Sequence, residues 1–338
     1  MRKIAKSLIT AVIPISFLII SSCTTNKVGN TKETQMSTNQ KEEMQLQIEA
    51  MAKTFLYPQK VQPIVKRPDA YGLNFVEVNF KSEDGVNHVG WLLRKRSDKV
   101  VILSHPGAFT KYGYSVAHEG DVKTGYDKDV EFIPVAKHLV EADYTVLMYD
   151  NRNHGESDFS PRDGIHDPFE AHLDNVSAIE FIANNPEFKG ASIGLLSFCQ
   201  SSYISMVGMS ERPEVYKENR VRAMVALQPI SIEVFYRKTG MPQPVIDALK
   251  QVYLKNGINM ERQNPELFAD KILVPTLFVQ NINDVWSDMD HIRRIYSLIP
   301  TEKKALWLDK KDQPHRFMAY NWFNDHPEEL LAFFEKHL

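Results

Sequence analysis

Short apolar runs alternate with amphipathic stretches from about residue 74 to the end of the chain. Segments 75–80 and 89–93 predict two antiparallel strands that open a sheet. Later apolar runs predict buried strands at 100–103, 144–149, 193–196, 221–227, 273–280 and 305–308. Helices are predicted at 135–141, 167–179, 200–209, 293–299 and 322–338. This order predicts an α/β fold with a mostly parallel central sheet and helices on both faces.

The segment 229–271 interrupts this alternation. It lies between two predicted strands, is longer than a simple crossover, and carries apolar residues such as Phe235, Ile246 and Leu249. We expect a helical cap insertion over a pocket. An enlarged surface crossover is the alternative.

The first 45 residues have the pattern of a targeting segment followed by a tether. Three basic residues precede an apolar stretch at 8–20, and Ser21, Ser22 and Cys23 follow it. This pattern resembles the lipobox of bacterial lipoproteins, in which the signal peptide is removed before a cysteine that is then lipidated. We therefore expect a signal peptide at 1–22, a lipidated Cys23 with a flexible polar tether at 23–45, and a globular domain at 46–338.

This resemblance implies an exported protein, anchored in the cell envelope through an N-terminal lipid. Thr24 after the cysteine favours the outer membrane where the cell has one. An uncleaved anchor helix or an ordinary signal peptide is the alternative.

Composition narrows the possible functions. The 338 residues are 43% hydrophobic, as in a globular protein with a sizeable core, and the formal net charge of −3 argues against nucleic-acid binding. The histidines do not pair at metal-ligand spacing, and no phosphate loop or dinucleotide fingerprint is present. We therefore predict no metal and no cofactor.

The two cysteines lead to the candidate chemistry. If Cys23 carries lipid, Cys199 is the one remaining thiol and no internal disulfide can form. Cys199 is then either a small buried apolar residue or a reactive thiol. It stands between a predicted strand and a predicted helix, and the helix dipole at such a position favours a thiolate.

A literal Gly-x-Ser-x-Gly match occurs at 190–194 and centres on Ser192. That motif works at a sharp turn where a strand ends and a helix begins, whereas Ser192 stands where its strand begins. Cys199 occupies the strand-to-helix position. We therefore predict that Cys199, and not Ser192, is the nucleophile.

The segment around Cys199 resembles the nucleophile turn of the α/β-hydrolase superfamily, and its cysteine resembles that of the dienelactone hydrolase branch. The resemblance covers roughly residues 73–338. It implies an α/β-hydrolase fold over the globular domain, and hydrolysis of a carboxylic ester or thioester of a small molecule. Ser197 and Ser201 depart from the pattern, because the family has glycine at both positions.

The family's chain order of nucleophile, acid and histidine identifies the partners. Asp284 follows the strand at 273–280, and His315 lies between the last strand and the last helix. The resemblance implies that Asp284 orients His315, and that His315 takes the thiol proton and later activates water. The predicted catalytic triad is therefore Cys199, His315 and Asp284.

The oxyanion hole is predicted from backbone N–H groups. Gln200 supplies the first, and either Gly107 or Ala108 supplies the second, since Pro106 has no N–H. Asp150 and Arg152 match a family loop whose role is to brace the active-site face.

A second function remains open at this point. The serines beside Cys199 are also compatible with a catalytically inactive α/β-hydrolase-fold lipoprotein that acts as a binding protein.

Overall fold

A computed structural model describes residues 38–57, 62–119 and 125–338. The predicted signal peptide and Cys23 lie outside these residues. Within the described ranges, no helix is long and apolar enough to cross a membrane.

The described part of the chain contains a large sheet and a small one. The strands are β1 (Val76–Lys81), β2 (Asn87–Leu93), β3 (Lys99–Ser104), β4 (Gly113–Tyr114), β5 (Val130–Glu131), β6 (Thr145–Tyr149), β7 (Ser192–Phe198), β8 (Val221–Leu227), β9 (Thr276–Asn281) and β10 (Lys303–Leu308). Strands β4 and β5 form the small antiparallel sheet. The other eight form one sheet in the order β1-β2-β6-β3-β7-β8-β9-β10.

Strand direction in the large sheet follows the sequence prediction. Strand β2 is antiparallel to both of its neighbours, β1 and β6. All later neighbours, from β6 to β10, pair in parallel. The predicted mostly parallel sheet with an antiparallel opening is confirmed.

Ten α-helices surround the sheet in the described ranges. They are α1 (Thr38–Leu56), α2 (Ile133–Glu141), α3 (His172–Asn184), α4 (Gln200–Glu211), α5 (Pro213–Glu218), α6 (Ile232–Lys238), α7 (Gln243–Lys255), α8 (Met289–Leu298), α9 (Phe317–Asp325) and α10 (Glu328–His337).

Two helix predictions differ from the structure. The helix expected to begin at Asp167 begins at His172, because Asp167 instead caps a separate turn by accepting a 3.0 Å hydrogen bond from the N–H of Phe169. The last helix is two helices, α9 and α10, separated at Pro327. Proline disfavours helical geometry in the residue before it and has no N–H to donate.

Alternating residues of the central strands pack on opposite faces of the sheet. Val101 and Leu103 of β3 join a core with residues of α2, α9 and α10. Val100 and Ile102 join a second core with residues of α3, α4 and α8. Helices on both faces therefore bury both sides of the parallel strands, as such a sheet requires.

The chain between β8 and β9 carries α6, α7 and three short 3₁₀ helices. Together with α1 it forms a third apolar cluster. Helix α1 begins at Thr38, so residues 38–45 are helical where we expected a flexible tether. The reason is that Met44, Ile48, Ala52 and Leu56, spaced four residues apart, place their side chains on one helix face and against α7.

Candidate active site

The predicted site residues lie at the carboxyl edge of the parallel strands. Gly107 follows β3, Cys199 follows β7, Asp284 follows β9 and His315 follows β10. Carboxyl ends of parallel strands meet at one edge of a sheet, which is where open α/β sheets bind their ligands. The fold therefore brings these separate segments to one region.

Cys199 stands in a strained turn. It links the last residue of β7 to the first residue of α4 with φ 52° and ψ −111°. Such positive φ values cost a non-glycine residue about 1–3 kcal/mol and cluster at functional sites. Its N–H donates to the carbonyl of Leu227 on β8 over 2.7 Å, and its side chain is half-buried at the helix N-terminus.

Ser192 lies far from this turn along the strand. It is the first residue of β7, and its N–H donates to the carbonyl of Asp98. The literal Gly-x-Ser-x-Gly match is therefore at the edge of the sheet opposite Cys199.

The serines at the family's glycine positions are accommodated by hydrogen bonds. The Ser197 hydroxyl pairs with the hydroxyl of Ser205 over 2.9 Å, and the Ser201 hydroxyl donates to the carbonyl of His105 over 2.6 Å. Both serines are fully buried. The polar groups that replace the glycines are satisfied, so the substitutions preserve the turn.

Gln200 and Gly107, two residues of the predicted oxyanion hole, lie close together. Gln200 is the first residue of α4, and a Cβ atom added to Gly107 would lie 3.0 Å from its side-chain oxygen. The N–H of Ala108 donates to Nε2 of His154 over 3.0 Å. Because that bond engages the N–H of Ala108, Gly107 is the better placed of the two alternatives for the second donor.

Asp284 is buried, and its carboxylate accepts two hydrogen bonds and lies near a guanidinium. Oδ1 accepts from the N–H of Trp286 over 3.1 Å, and Oδ2 accepts from the hydroxyl of Ser287 over 2.6 Å. The guanidinium of Arg316 places Nη1 3.9 Å from Oδ2.

His315 lies in an aromatic pocket beside these groups. Its ring centroid is 4.7 Å from that of Trp286, 4.6 Å from that of Phe317 and 5.0 Å from that of Tyr126. Nδ1 accepts a 3.2 Å hydrogen bond from the N–H of Phe317, whereas in a triad this nitrogen donates to the acid. The triad of Cys199, His315 and Asp284 remains a prediction.

Arg316 is the residue that the sequence reasoning missed. It is 2% exposed, its Nε donates to the hydroxyl of Tyr320 over 2.9 Å, and its Nη2 donates to the carbonyl of Gln228 over 2.7 Å. Burial opposes its charge, but Tyr320, Cys199 and Asp284 outweigh burial and raise the pKa of Arg316 above its usual range. The residue directly after the predicted base thus carries a buried charge beside Asp284.

Three buried histidines form a row beside the nucleophile turn. Ring centroids of His105 and His154 are 5.3 Å apart, as are those of His154 and His166. Nε2 of His166 lies 3.0 Å from the side-chain oxygen of Gln200. The backbone N–H of His166 donates to the carbonyl of Leu56 at the end of α1. Burial, together with His154, lowers the pKa of His166 to about 3. This row connects α1 to the predicted oxyanion hole.

The loop after β6 braces the site. Oδ1 of Asp150 accepts from the backbone N–H of Lys111, and Oδ2 accepts from its Nζ over 2.5 Å. Arg152 bonds Asp174 over 2.6 Å and Asp84 over 2.7 Å. These buried ion pairs hold the loop that contains His154 in place.

Among residues 38–57, 62–119 and 125–338, no group of three or more histidine, cysteine, aspartate and glutamate side chains is arranged to hold a metal ion.

Comparison with known proteins begins with the sequence. No protein-family model matches the chain. The thiohydrolase aneE of Aspergillus aculeatus is 22% identical over 233 residues, which cover 68% of this chain and 64% of that protein. The chain thus matches less than two thirds of the length of that relative.

Three solved structures resemble the fold. An esterase from Pyrococcus furiosus has a TM-score of 0.61 at 18% identity, covering 84% of this chain and 98% of that one. The α/β hydrolase GrgF from Penicillium sp. sh18 has a TM-score of 0.54 at 18% identity, covering 78% and 99%. A dienelactone hydrolase from Anabaena variabilis has a TM-score of 0.50 at 14% identity, covering 79% and 99%. With its strand order and its nucleophile turn, this likeness establishes that the protein has the α/β-hydrolase fold.

Proposed function

We propose that the protein hydrolyses carboxylic esters or thioesters through a covalent acyl-enzyme on Cys199. The observation that carries the proposal is the strained backbone of Cys199, at the point where a buried parallel strand ends and a helix begins. A residue held there presents its side chain to the active-site edge, and backbone N–H groups lie next to it.

The chemistry follows from the groups around this turn. The sulfur attacks the acyl carbon, and the N–H groups of Gln200 and Gly107 stabilise the negative oxygen that forms. His315 takes the thiol proton as the sulfur attacks and gives it to the departing alcohol or thiol, and the acyl group remains on Cys199. Water then attacks the acyl-enzyme and gives a proton to His315, the carbon–sulfur bond breaks, and the proton returns to the sulfur while Asp284 orients His315.

The lining of the site favours an apolar or aromatic acyl group. Phe235 of α6 contacts Trp286 with ring centroids 5.4 Å apart, and Trp286 contacts His315. The cap therefore reaches the site with aromatic surface. The similarity to an esterase and to a thiohydrolase supports the same class of substrate.

The test is a panel of aryl esters and thioesters with purified protein. Cys199→Ala should lose turnover by at least about 10⁴-fold, as expected when a nucleophile is removed. Ser192→Ala is the matched control and should retain full turnover. Turnover that survives in Cys199→Ala would show that another residue is the nucleophile.

A second function, binding without turnover, is favoured by one observation. Asp284 is engaged by Ser287 and Arg316, and Nδ1 of His315 accepts from the N–H of Phe317, whereas a triad histidine donates from this nitrogen to its acid. No turnover of any substrate by a folded protein, together with no alkylation of Cys199 by iodoacetamide, would favour a binding protein.

We also propose that a lipid on Cys23 anchors the protein to a membrane of the cell envelope. The basic and apolar residues before Cys23 support this proposal. Mass spectrometry of the mature N-terminus should find a lipidated Cys23, and a free N-terminus elsewhere would contradict it.

A further inference from the structure

The side-chain amide of Gln200 lies between His166 and the backbone of Gly107. Its Oε1 is 3.0 Å from Nε2 of His166. A Cβ atom added to Gly107 would lie 3.0 Å from Oε1 and 3.6 Å from Nε2 of Gln200. Gln200 also directly follows Cys199 in the chain. The amide is therefore held beside the backbone that is predicted to bind the reacting carbonyl.

His166 fixes which end of the amide faces it. Within the part of the chain that the structure describes, Nδ1 of His166 is buried and has no hydrogen-bond partner. A buried N–H without an acceptor is rare in folded proteins, so the imidazole proton belongs on Nε2. Burial, together with His154, lowers the pKa of His166 to about 3, so the ring carries a single proton at neutral pH. Nε2 of His166 therefore donates to Oε1 of Gln200, and the amide nitrogen is directed elsewhere.

The amide nitrogen of Gln200 is an accessible donor. Among residues 38–57, 62–119 and 125–338, Nε2 of Gln200 has no hydrogen-bond partner, and it is not one of the fully buried atoms that lack one. The residue as a whole is half-buried. A primary amide carries two N–H donors on this nitrogen. The site thus presents a donor, with its orientation set by His166, next to the predicted oxyanion hole.

We propose that the side chain of Gln200 is a specificity-determining residue that donates to an oxygen acceptor of the substrate close to the reacting carbonyl, and that His166 is its positioning residue. The inference rests on the proposed function and deepens it. Preferred substrates carry an ether, carbonyl or hydroxyl oxygen near the bond that is cleaved. A purely alkyl substrate covers the same donor without pairing it, and an unpaired donor removed from water weakens binding.

The alternative is that the amide only packs against Gly107. Two pairs of substrates with nearly the same shape separate these roles. An aryl methoxyacetate and the aryl butyrate differ by an ether oxygen in the acyl part, and a 2-methoxyethyl ester and the butyl ester of one acid differ in the alcohol part. The measured quantity is the ratio of kcat/KM for the ether to kcat/KM for its alkyl partner. Intrinsic reactivity cancels when this ratio is compared between variants.

Gln200→Glu keeps an acceptor for His166 but has no N–H to donate, and Gln200→Met has neither. Both keep the backbone N–H at this position. In each variant the ratio should fall about 3- to 10-fold for at least one pair, the value of one neutral hydrogen bond. The pair that responds identifies whether the acceptor belongs to the acyl or the alcohol part. His166→Phe keeps a ring but no N–H, and should lower the ratio less.

Gln243→Met is the matched control. Gln243 is likewise the first residue of a helix, but it is exposed and bonds Asp247 over 2.9 Å. Its replacement should leave both ratios unchanged. Circular dichroism would confirm that each variant is folded.

Ratios that stay unchanged for both pairs in a folded Gln200→Glu or Gln200→Met would overturn the proposal, even if both kcat/KM values fall together. If neither variant folds, unchanged ratios in folded His166→Phe overturn it equally. Turnover by the natural protein with such unchanged ratios would leave the proposed function standing. If the natural protein cleaves none of these esters, equilibrium dialysis gives the same ratios as dissociation constants. A preference for the ether that Gln200→Glu removes would then support the donor and reject the proposed function, and its absence would overturn both.

Discussion

Replacing His166 by Gln removes a titrating group from the contact between α1 and the nucleophile turn. His166 is 7% exposed, and burial lowers its pKa from 6.5 to about 3. Between these values the unfolded chain binds more protons than the folded one. The stability contributed by neutral His166 is therefore present above pH 6.5 and is lost as the pH falls toward 3.

The magnitude follows from the two pKa values. Their difference corresponds to a contribution of about 5 kcal/mol to the free energy of unfolding. About 3 kcal/mol of this contribution is lost between pH 7.5 and pH 4.5. The neighbouring Asp167 acts in the opposite direction, because burial raises its pKa from 3.8 to about 6. The folded state then holds its proton more tightly, so stability falls as the pH rises through that window. As the pH falls from 7.5 to 4.5, the contribution of Asp167 to the free energy of unfolding rises by about 2 kcal/mol, which offsets most of the loss at His166.

The assay is urea unfolding at pH 7.5, 6.0 and 4.5 for the natural protein, His166→Gln, Asp167→Asn and the double variant. The free energy of unfolding of the natural protein, relative to that of His166→Gln, should decrease by about 3 kcal/mol from pH 7.5 to pH 4.5. Relative to that of Asp167→Asn, the free energy of unfolding of the natural protein should increase by about 2 kcal/mol over the same pH range. Packing costs do not depend on pH, so they cancel in this comparison. A constant difference for His166→Gln across the three pH values would refute the reasoning.

Three further substitutions test the packing around the site. Lys111→Met leaves Asp150 buried without its cation and should lower the free energy of unfolding in urea by about 3–5 kcal/mol. A decrease below about 1 kcal/mol would contradict a stabilising buried ion pair. Gly194→Ala places a Cβ atom 2.7 Å from the ring of Phe334. It should cost about 1–3 kcal/mol, measured as a lower Tm, and an unchanged Tm would mean that α10 can shift. Gly107→Ala pushes on the side-chain amide at the start of α4, and should lower kcat at least about tenfold with little change in Tm. Full activity in that variant would argue against an oxyanion hole at this position.

The sheet was predictable because its signals are local. Each parallel strand is a short apolar run, and its alternate side chains fill two cores, so the pattern 100–103 already specified burial on both faces. The break at Pro327 was missed by the predicted helix at 322–338, although proline disfavours continuation of a helix. The helix at 38–45, where a flexible tether was predicted, was not apparent from the sequence, since the apolar positions of α1 are sparse and become significant only where they pack against α7.

The sequence predicted that the candidate residues would follow strand ends at one edge of the sheet, but it did not predict their contacts. The strand-to-helix order selected Cys199, and the strand ends selected Asp284 and His315. The contacts of two adjacent side chains are decided by tertiary packing: Nη1 of Arg316 lies 3.9 Å from Oδ2 of Asp284, and the ring of His315 packs against that of Trp286. Hydrogen bonds that satisfy Ser201 also come from a distant segment, so the sequence around it could not reveal them.

The contact between α1 and the helices that lie between β8 and β9 also bears on how the protein should be produced. A version trimmed to begin at residue 62 would uncover Ile246, Leu249 and Tyr253, which α1 now covers, and would remove the carbonyl of Leu56 that holds His166. Such a patch promotes self-association, and the loosened histidine would no longer restrain Gln200. Discarding the whole segment before the sheet as a linker should therefore yield protein that self-associates, whereas a version that starts at residue 38 keeps α1 packed against α7.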